Sequence, residues 1–474
     1  MGRITGSFRD PSGFLFERDG VLFRQVNTVY RPEYDHLSKS GGLFDELIRE
    51  ELLVPHEEVD VTPEEPATSY KILRPKRIPF ISYPFEWTFS QLKDAALLTL
   101  RLQRIALDHA CSLKDASAYN VQFDGSRPVF IDTLSFESYS EGAPWVAYRQ
   151  FCKHFLAPLS LCALRDIRLS GLLQTAIDGI PLDLASLLLP AGSWARLGLL
   201  THIHLHAKSE KKHSDTTSHS SDKARRAKLT KFRLLALIDN LESCVRRLRW
   251  KPGSTEWGDY YTDTNYTDQA FEAKKQIVER FVSAIHPFTI WDIGANTGVF
   301  TRVAIDAAKR STPASPPFAV ALDVDPLAAE RDYLQCCKEQ RRDMLPLVVD
   351  LTTPSPSIGW DNRERYSLTE RGPADMCLAL ALIHHLSISN NLPFPDVARY
   401  LRRLCRSLVI EFVPKSDSQV QRLLRTRRDV FGDYTREAFE ASFSELFRID
   451  RVENVEGSER TLYLMTVKHP ALQV

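Results

Sequence analysis

Two stretches of the 474-residue sequence carry residue types at spacings that could do chemistry. The first, Ser112–Phe136, reads SLKDASAYNVQFDGSRPVFIDTLSF. Asp115 is followed five residues later by Asn120, and Asp132 closes an apolar strand. An acid that can take a hydroxyl proton, then two oxygen ligands for magnesium, suits phosphoryl transfer. The second stretch, WDIGANTGVF, places a glycine-rich turn directly after a strand and before a helix at Val299–Ala308. Glycine is needed where the backbone turns sharply and a ligand must approach without a Cβ in the way. In open α/β sheets such a turn, at the carboxyl end of the first strand, is where ligands bind.

The residues after this turn narrow the ligand. The next strand, AVALD, ends in Asp323, and a carboxylate there can accept both ribose hydroxyl protons of a nucleoside. The third ends near Asp350 in VVDLT, which could accept from an exocyclic adenine amine. The turn reads Asp-x-Gly-x-Asn-x-Gly and lacks the third glycine of a dinucleotide site. Its leading acid would repel a pyrophosphate but suits a sulfonium and an ammonium. In these residues the segment resembles the class I S-adenosylmethionine-dependent methyltransferases, over about Gly253–Val467. The resemblance implies that Asp292, Gly294, Asn296 and Gly298 surround the methionyl part, that Asp323 holds the ribose and that Asp350 lies near the adenine. The insertion KRSTPASPP (Lys309–Pro317) explains why Asp323 comes late after the glycines. The same resemblance implies that the aromatic-rich GDYYTDTNYTDQAFEAKK closes over the cofactor, with Tyr261, Tyr266 and Lys274 as candidates. LALIHHL resembles the segment that faces the transferable methyl group, with His385 as candidate general base and one of His384 and His385 packed structurally. EFVPKSD (Glu411–Asp417) could line the acceptor pocket.

The first stretch resembles the catalytic loop of kinase-like phosphotransferases. The likeness implies Asp115 as base, Asn120 and Asp132 as magnesium ligands, and Mg-ATP as a second cofactor. A long helix, Thr88–Leu107, precedes it, and Val121–Phe123 and Val129–Ile131 form a hairpin around Asp124-Gly125. FLFERDGVLFRQV resembles the first strands of the small lobe. The departures are Leu113 two residues before the Asp, Thr133-Leu134 after the second Asp, no phosphate-covering loop beyond Gly6 and Gly13, and Arg24 where a lysine is wanted. Arginine does not reproduce a lysine's contacts. Read without the likeness, Asp115 caps a helix, Asn120 sits in a turn and Asp132 ends a strand.

The elements that must position these residues follow from periodicity. Asp19-Gly20 between two apolar runs signals a hairpin. A helical region, Pro32–Leu53, breaks at Gly41-Gly42, and Pro55–Ser69 reads as a loop. Tyr70–Leu73 and Ile78–Ser82 read as short strands, and Trp145–His206 as mostly helical. From Phe288 onward apolar runs alternate with helical stretches, the pattern of a doubly wound parallel sheet. The expected fold is thus α/β, a Rossmann-like methyltransferase sheet preceded by an α+β, kinase-like domain. The expected bounds are 10–205 for that domain, 206–252 for a polar linker with a connecting helix, and 253–470 for the methyltransferase.

Composition limits the partners. Lys and Arg balance Asp and Glu at 61 each, so the whole chain offers no field for nucleic acid or an anionic membrane. The eight cysteines lack metal or disulfide spacing, and neither a secretory signal nor an 18-residue apolar run is present, so a cytoplasmic protein is expected. His202, His204 and His206 in THIHLHA alternate as strand ligands would, but alternation fails in a helix and no metal is expected there. The expected activity is methyl transfer to an O- or N-nucleophile of a small-molecule or glycan-type acceptor, with a protein side chain second. The alternatives are a bifunctional kinase–methyltransferase and a non-catalytic sensor of either nucleotide. As a whole the chain also resembles bacterial methyltransferase-like proteins connected with nodulation.

Overall fold

A computed structural model of the chain describes residues 2–208, 230–251, 253, 268–311, 316–425 and 428–468. It forms two compact units, residues 1–251 with 358–365, and residues 252–357 with 366–474.

The first unit opens with an antiparallel sheet of β1 (Gly2–Arg3), β2 (Gly13–Arg18), β3 (Val21–Asn27), β4 (His56–Glu58) and β5 (Ser69–Pro75), in the order β1-β2-β3-β5-β4. Asp19 and Gly20 both take positive φ and turn β2 into β3, as the Asp-Gly signal requires. Phe14, Phe16, Phe23 and Ile72 fill one face. Helices α1 (Arg31–Leu37) and α2 (Leu43–Arg49) flank Gly41-Gly42. The expected loop at Pro55–Ser69 contains β4, and the expected strand at Ile78–Ser82 does not form. Pro79 and Pro84 remove donors there, and the Ser82 peptide pairs with the Gln122 amide, at 2.9 Å in each direction. Helix α3 (Phe89–Asp108) begins at a reciprocal Thr88–Gln91 capping box and buries one long face. Strand β6 (Cys111–Leu113), the hairpin β7 (Val121–Asp124) and β8 (Arg127–Phe130), and β9 (Phe136–Ser138) follow. From Tyr148 to Leu205 the chain is mainly short helices. Helix α4 (Lys231–Arg247) is part of this unit rather than a connector, with Leu234, Ile238, Leu241 and Val245 fully buried.

The second unit is built on a seven-stranded sheet. Its strands are β10 (Thr289–Ile293), β11 (Phe318–Asp323), β12 (Met344–Val348), β13 (Ala374–Ala379), β14 (Cys405–Phe412), β15 (Phe447–Asn454) and β16 (Thr461–Val467). The order is β12-β11-β10-β13-β14-β16-β15. The first five are parallel, and β16 is antiparallel to both β14 and β15. From β10 the chain winds first toward β12 and then back through β13, so the switch point lies at the carboxyl end of β10. Helices α5 (Asp268–Ile285), α6 (Val299–Ser311), α7 (Pro326–Glu339), α8 (Phe394–Leu404), α9 (Ser418–Leu424) and α10 (Arg436–Leu446) accompany the strands. The apolar stripe of α5, Ala270, Ile277, Val278, Phe281 and Val282, packs with Ile290, Ala304 and Leu462 into one core. Phe281 has no exposed surface in that core. Phe281→Ala is expected to cost about 3–5 kcal/mol through lost burial and a residual cavity. Chemical denaturation checks it, and a loss below about 1 kcal/mol would contradict this packing.

Candidate functional site

The carboxyl edge of the sheet opens into a cavity of about 370 Å³, whose described lining residues all belong to the second unit. The turn after β10 forms its floor. Gly294 and Ala295 donate their backbone N–H groups to the Leu322 carbonyl at 2.8 and 3.0 Å, tying the turn to β11. Gly294 takes φ +78°, which a side chain rarely adopts. Asn296 is also left-handed, and its N–H donates to Asp323 Oδ2 at 2.7 Å. Asp323 Oδ1 accepts from the Asp325 N–H at 2.8 Å. These two bonds fix the Asp323 carboxylate at the end of β11 and leave each oxygen further acceptor capacity.

Of the residues expected around a cofactor, Lys274, Asp292, Gly294, Asn296, Asp323 and Asp350 share this one cavity, and His385 joins them. Gly298 does not line it. Its φ is +71°, and a Cβ there would stand 2.4 Å from Asp332 Oδ2 and from the Met344 methyl, so it allows α6 to pack rather than a ligand to approach. Asp350 lines the cavity, but its Oδ1 already accepts the Thr352 N–H and hydroxyl at 2.8 and 2.7 Å, a local Asx turn. Tyr261 and Tyr266 lie outside the described residues.

Burial sets the electrostatics. Asp292 lies inside the fold with Oδ2 accepting from the Thr301 hydroxyl at 2.6 Å. Removal from water pushes its carboxyl up to about 7, with Asp332 and Asp323 adding to the rise. Burial likewise lifts Asp323 to about 6. Burial lowers His385 to about 4, with the Arg460 charge acting in the same direction. His384 is packed inside, and its Nδ1 has no hydrogen-bond partner among the described residues. His385 stands at the cavity and His384 in the core.

The stretch Glu411–Asp417, expected to line an acceptor pocket, is not among the described residues that line the cavity, and Glu411 lies inside the sheet. Glu411 has no exposed surface, and Oε2 accepts from Lys274 Nζ at 2.7 Å and from the Ala381 N–H at 2.6 Å. Arg460, also buried, stands 3.7 Å from Oε1 and donates through Nε to Asp417 at 2.8 Å. Lys274 lies 4.7 Å over the Phe300 ring and is the one Lys or Arg among the described cavity-lining residues. Thr301 and Arg460 were not singled out in the sequence, and Phe271 and Phe300 fall inside stretches read there for other residues.

In the first unit Asp115, Asn120 and Asp132 are drawn together, but an arginine is already among them. Arg24 on β3 pairs with Asp132, the Ser135 hydroxyl donates to the other Asp132 oxygen, and Asn120 Nδ2 donates to Ser135 at 3.3 Å. Burial alone would raise the Asp132 carboxyl; the Arg24 charge and the Ser135 hydroxyl hold it below its ordinary value. Asp115 accepts from the Ser117 N–H at 2.9 Å and from Gln150 at 2.7 Å. No group of three metal-type ligands occurs among the described residues. The three histidines of THIHLHA lie in a helical turn. His202 bonds Tyr148 and Asn240, and His204 bonds Ser186 and Ser193, so both ring nitrogens of each are engaged. His202 and His204 are buried, and His206 is half-buried. No described helix is long and apolar enough to cross a membrane.

No family model matches the chain. Nodulation protein NoeA of Rhizobium meliloti (strain 1021) is 35% identical over 465 residues, covering 98% of this chain and 95% of that protein. A SAM-dependent methyltransferase from Aquifex aeolicus is 15% identical, covering 44% of this chain and 96% of that one, with a TM-score of 0.29. The bifunctional kinase-methyltransferase WbdD is 12% identical over 43% of this chain, with a TM-score of 0.29, and the match spans 40% of WbdD.

Glu411→Ala leaves the Lys274 ammonium buried with its main countercharge gone. It is expected to destabilise the second unit by about 3–5 kcal/mol, read by urea denaturation. A near-neutral result would mean that water or Asp292 takes over the charge.

Proposed function

The chain belongs to the family of nodulation protein NoeA, and from that footing we propose that it is an S-adenosylmethionine-dependent methyltransferase. The observation that carries the reading is the single cavity in which Asp292, Asp323 and Lys274 meet at the sheet's switch point. The donor set fits this cofactor. Asp323, held by two backbone N–H groups, offers acceptor capacity to two ribose hydroxyls. Asp292 offers a countercharge to an ammonium or sulfonium, and Lys274 one to a carboxylate. Val324 and Leu351 supply apolar surface for a base, next to Asp350. S-adenosylmethionine, when bound, supplies a methyl group on a cationic sulfur that an O- or N-nucleophile displaces.

The protein's own contribution is placement. Leu382, His385, Leu386, Ser389 and Asn390 form the wall after β13, and this wall orients the acceptor and excludes water. His385, depressed to about 4, is neutral in the physiological range and accepts the proton that an acceptor hydroxyl releases. The acceptor class is a neutral O- or N-nucleophile of small-molecule or glycan type. His385→Ala is expected to slow methyl transfer about 100-fold or more. The first unit then has a positioning role without phosphoryl transfer, because Arg24 already neutralises Asp132. Titration of Mg·ATP into the full chain is expected to give no heat that Asp132→Ala removes, and such heat would revive the bifunctional reading.

Titration with S-adenosylhomocysteine tests the cofactor site. Asp323→Ala removes two charge-assisted bonds that set the turn as well as the ribose contact. Affinity is expected to fall about 100-fold or more. The pH dependence follows from Asp292, whose carboxyl sits at about 7 in the ligand-free fold. A ligand whose ammonium faces Asp292 selects the ionised form, so binding of S-adenosylhomocysteine is expected to be about tenfold weaker at pH 6 than at pH 8, with a proton released. Asp292→Asn abolishes that slope, and pH-independent wild-type binding would contradict the assignment. The raised Asp292 and Asp323 carboxyls have the opposite effect on the ligand-free fold. The stability of their neutral forms is complete below about pH 4 and is lost as pH rises through 6 and 7.

A further inference from the structure

We propose that Glu411 is a positioning residue that couples the methionyl end of the cofactor to the acceptor-side wall, an inference that rests on the cofactor reading above. Two donors meet on one atom. Glu411 Oε2 accepts from Lys274 Nζ at 2.7 Å and from the Ala381 N–H at 2.6 Å. Lys274 faces the cavity on one side of this carboxylate. On the other side Ala381 begins the segment that carries Leu382, His385, Leu386, Ser389 and Asn390 into the same cavity. Ala381 is left-handed, with φ +50°, although it has a Cβ. Such a conformation persists only where its surroundings hold it, and the Glu411 bond is the one that fixes this N–H.

Lys274, Arg460, Glu411 and Asp417 are linked as two cations and two anions, with Asp292 also acting on Lys274. A ligand carboxylate in the cavity adds an anion facing Lys274 and shares its ammonium. Oε2 then carries less of Lys274 and more of Ala381, so the strained turn is held more firmly. A ligand without the carboxylate leaves the division unchanged. The acceptor wall is thereby set only when the complete cofactor is present, and His385 is presented by a turn that the cofactor itself has tightened.

Hydrogen exchange read by mass spectrometry on the full chain tests this without an acceptor. The probes are S-adenosylhomocysteine and methylthioadenosine, which lacks the amino-acid end. In the wild type, S-adenosylhomocysteine is expected to slow exchange at 323–325, 349–352 and 380–390. Methylthioadenosine is expected to slow only the first two. In Glu411→Gln the effect of S-adenosylhomocysteine on 380–390 is expected to be lost while the adenosine wall stays protected. A merely structural Glu411 would loosen 380–390 with or without ligand and leave the difference between the two probes intact, which overturns the proposal. Equal protection of 380–390 by both probes in the wild type overturns it without any variant. If neither probe protects any segment, the cofactor assignment fails and the coupling with it.

Discussion

A carboxylate with no exposed surface, Glu411, must be compensated, and much of the second unit's site is arranged around that need. A lone buried carboxylate is costly enough to take up a proton instead. Here α5 supplies Lys274, the turn after β13 supplies the Ala381 N–H, and Arg460 approaches from the start of β16. The compensation binds three elements that share no local sequence. The same cation that balances Glu411 also faces the cavity, so the charge that stabilises the fold and the charge available to a ligand are one group.

The turn after β10 is governed by a second constraint, the burial of two carboxyls with one cation near them. Asp292 and Asp323 are each lifted by desolvation, to about 7 and about 6. Their mutual repulsion adds to the cost of ionising both. A ligand carrying positive charge and hydroxyl donors relieves that cost, and a pyrophosphate would add to it. The chemistry of the site is therefore selective before any shape is considered. Its location follows from topology, because a strand order that reverses at β10 leaves the turn uncovered between two helices.

Most of this was legible wherever the signal was local. The Asp-x-Gly-x-Asn-x-Gly turn, the acid ending β11 and the His-His pair each sit within a few residues of the strand that positions them. The five parallel strands showed as apolar runs, although the third, Met344–Val348, ends two residues before the Asp350 expected near its end. The antiparallel pair β15 and β16 was missed, because β15 is half exposed and its charges, FRIDRVEN, mask the alternation. Gly298 was misjudged for a different reason. Two glycines in one turn look alike in sequence, yet one faces the cavity and the other accommodates Asp332 and Met344 across the sheet. Long-range compensation leaves no local trace, so Arg460 and the true position of Glu411 emerged only in three dimensions.

The first unit shows the same logic with the opposite outcome. The residues Asp115, Asn120 and Asp132 converge as a magnesium site would require, yet the positive charge among them is covalently part of the chain. A guanidinium offers directed, planar donors, whereas a magnesium ion demands octahedral oxygen ligands and keeps several waters. Once Arg24 holds Asp132, a metal would have to displace a charge that cannot leave, only swing away. Geometry that resembles a catalytic loop can therefore persist as a structural network: the carboxylates still need a cation, and Arg24 supplies one permanently. On this argument the division of labour in the chain follows from the source of each countercharge. The first unit carries its own at Asp132, and the second leaves Asp292 and Asp323 to be completed by what binds.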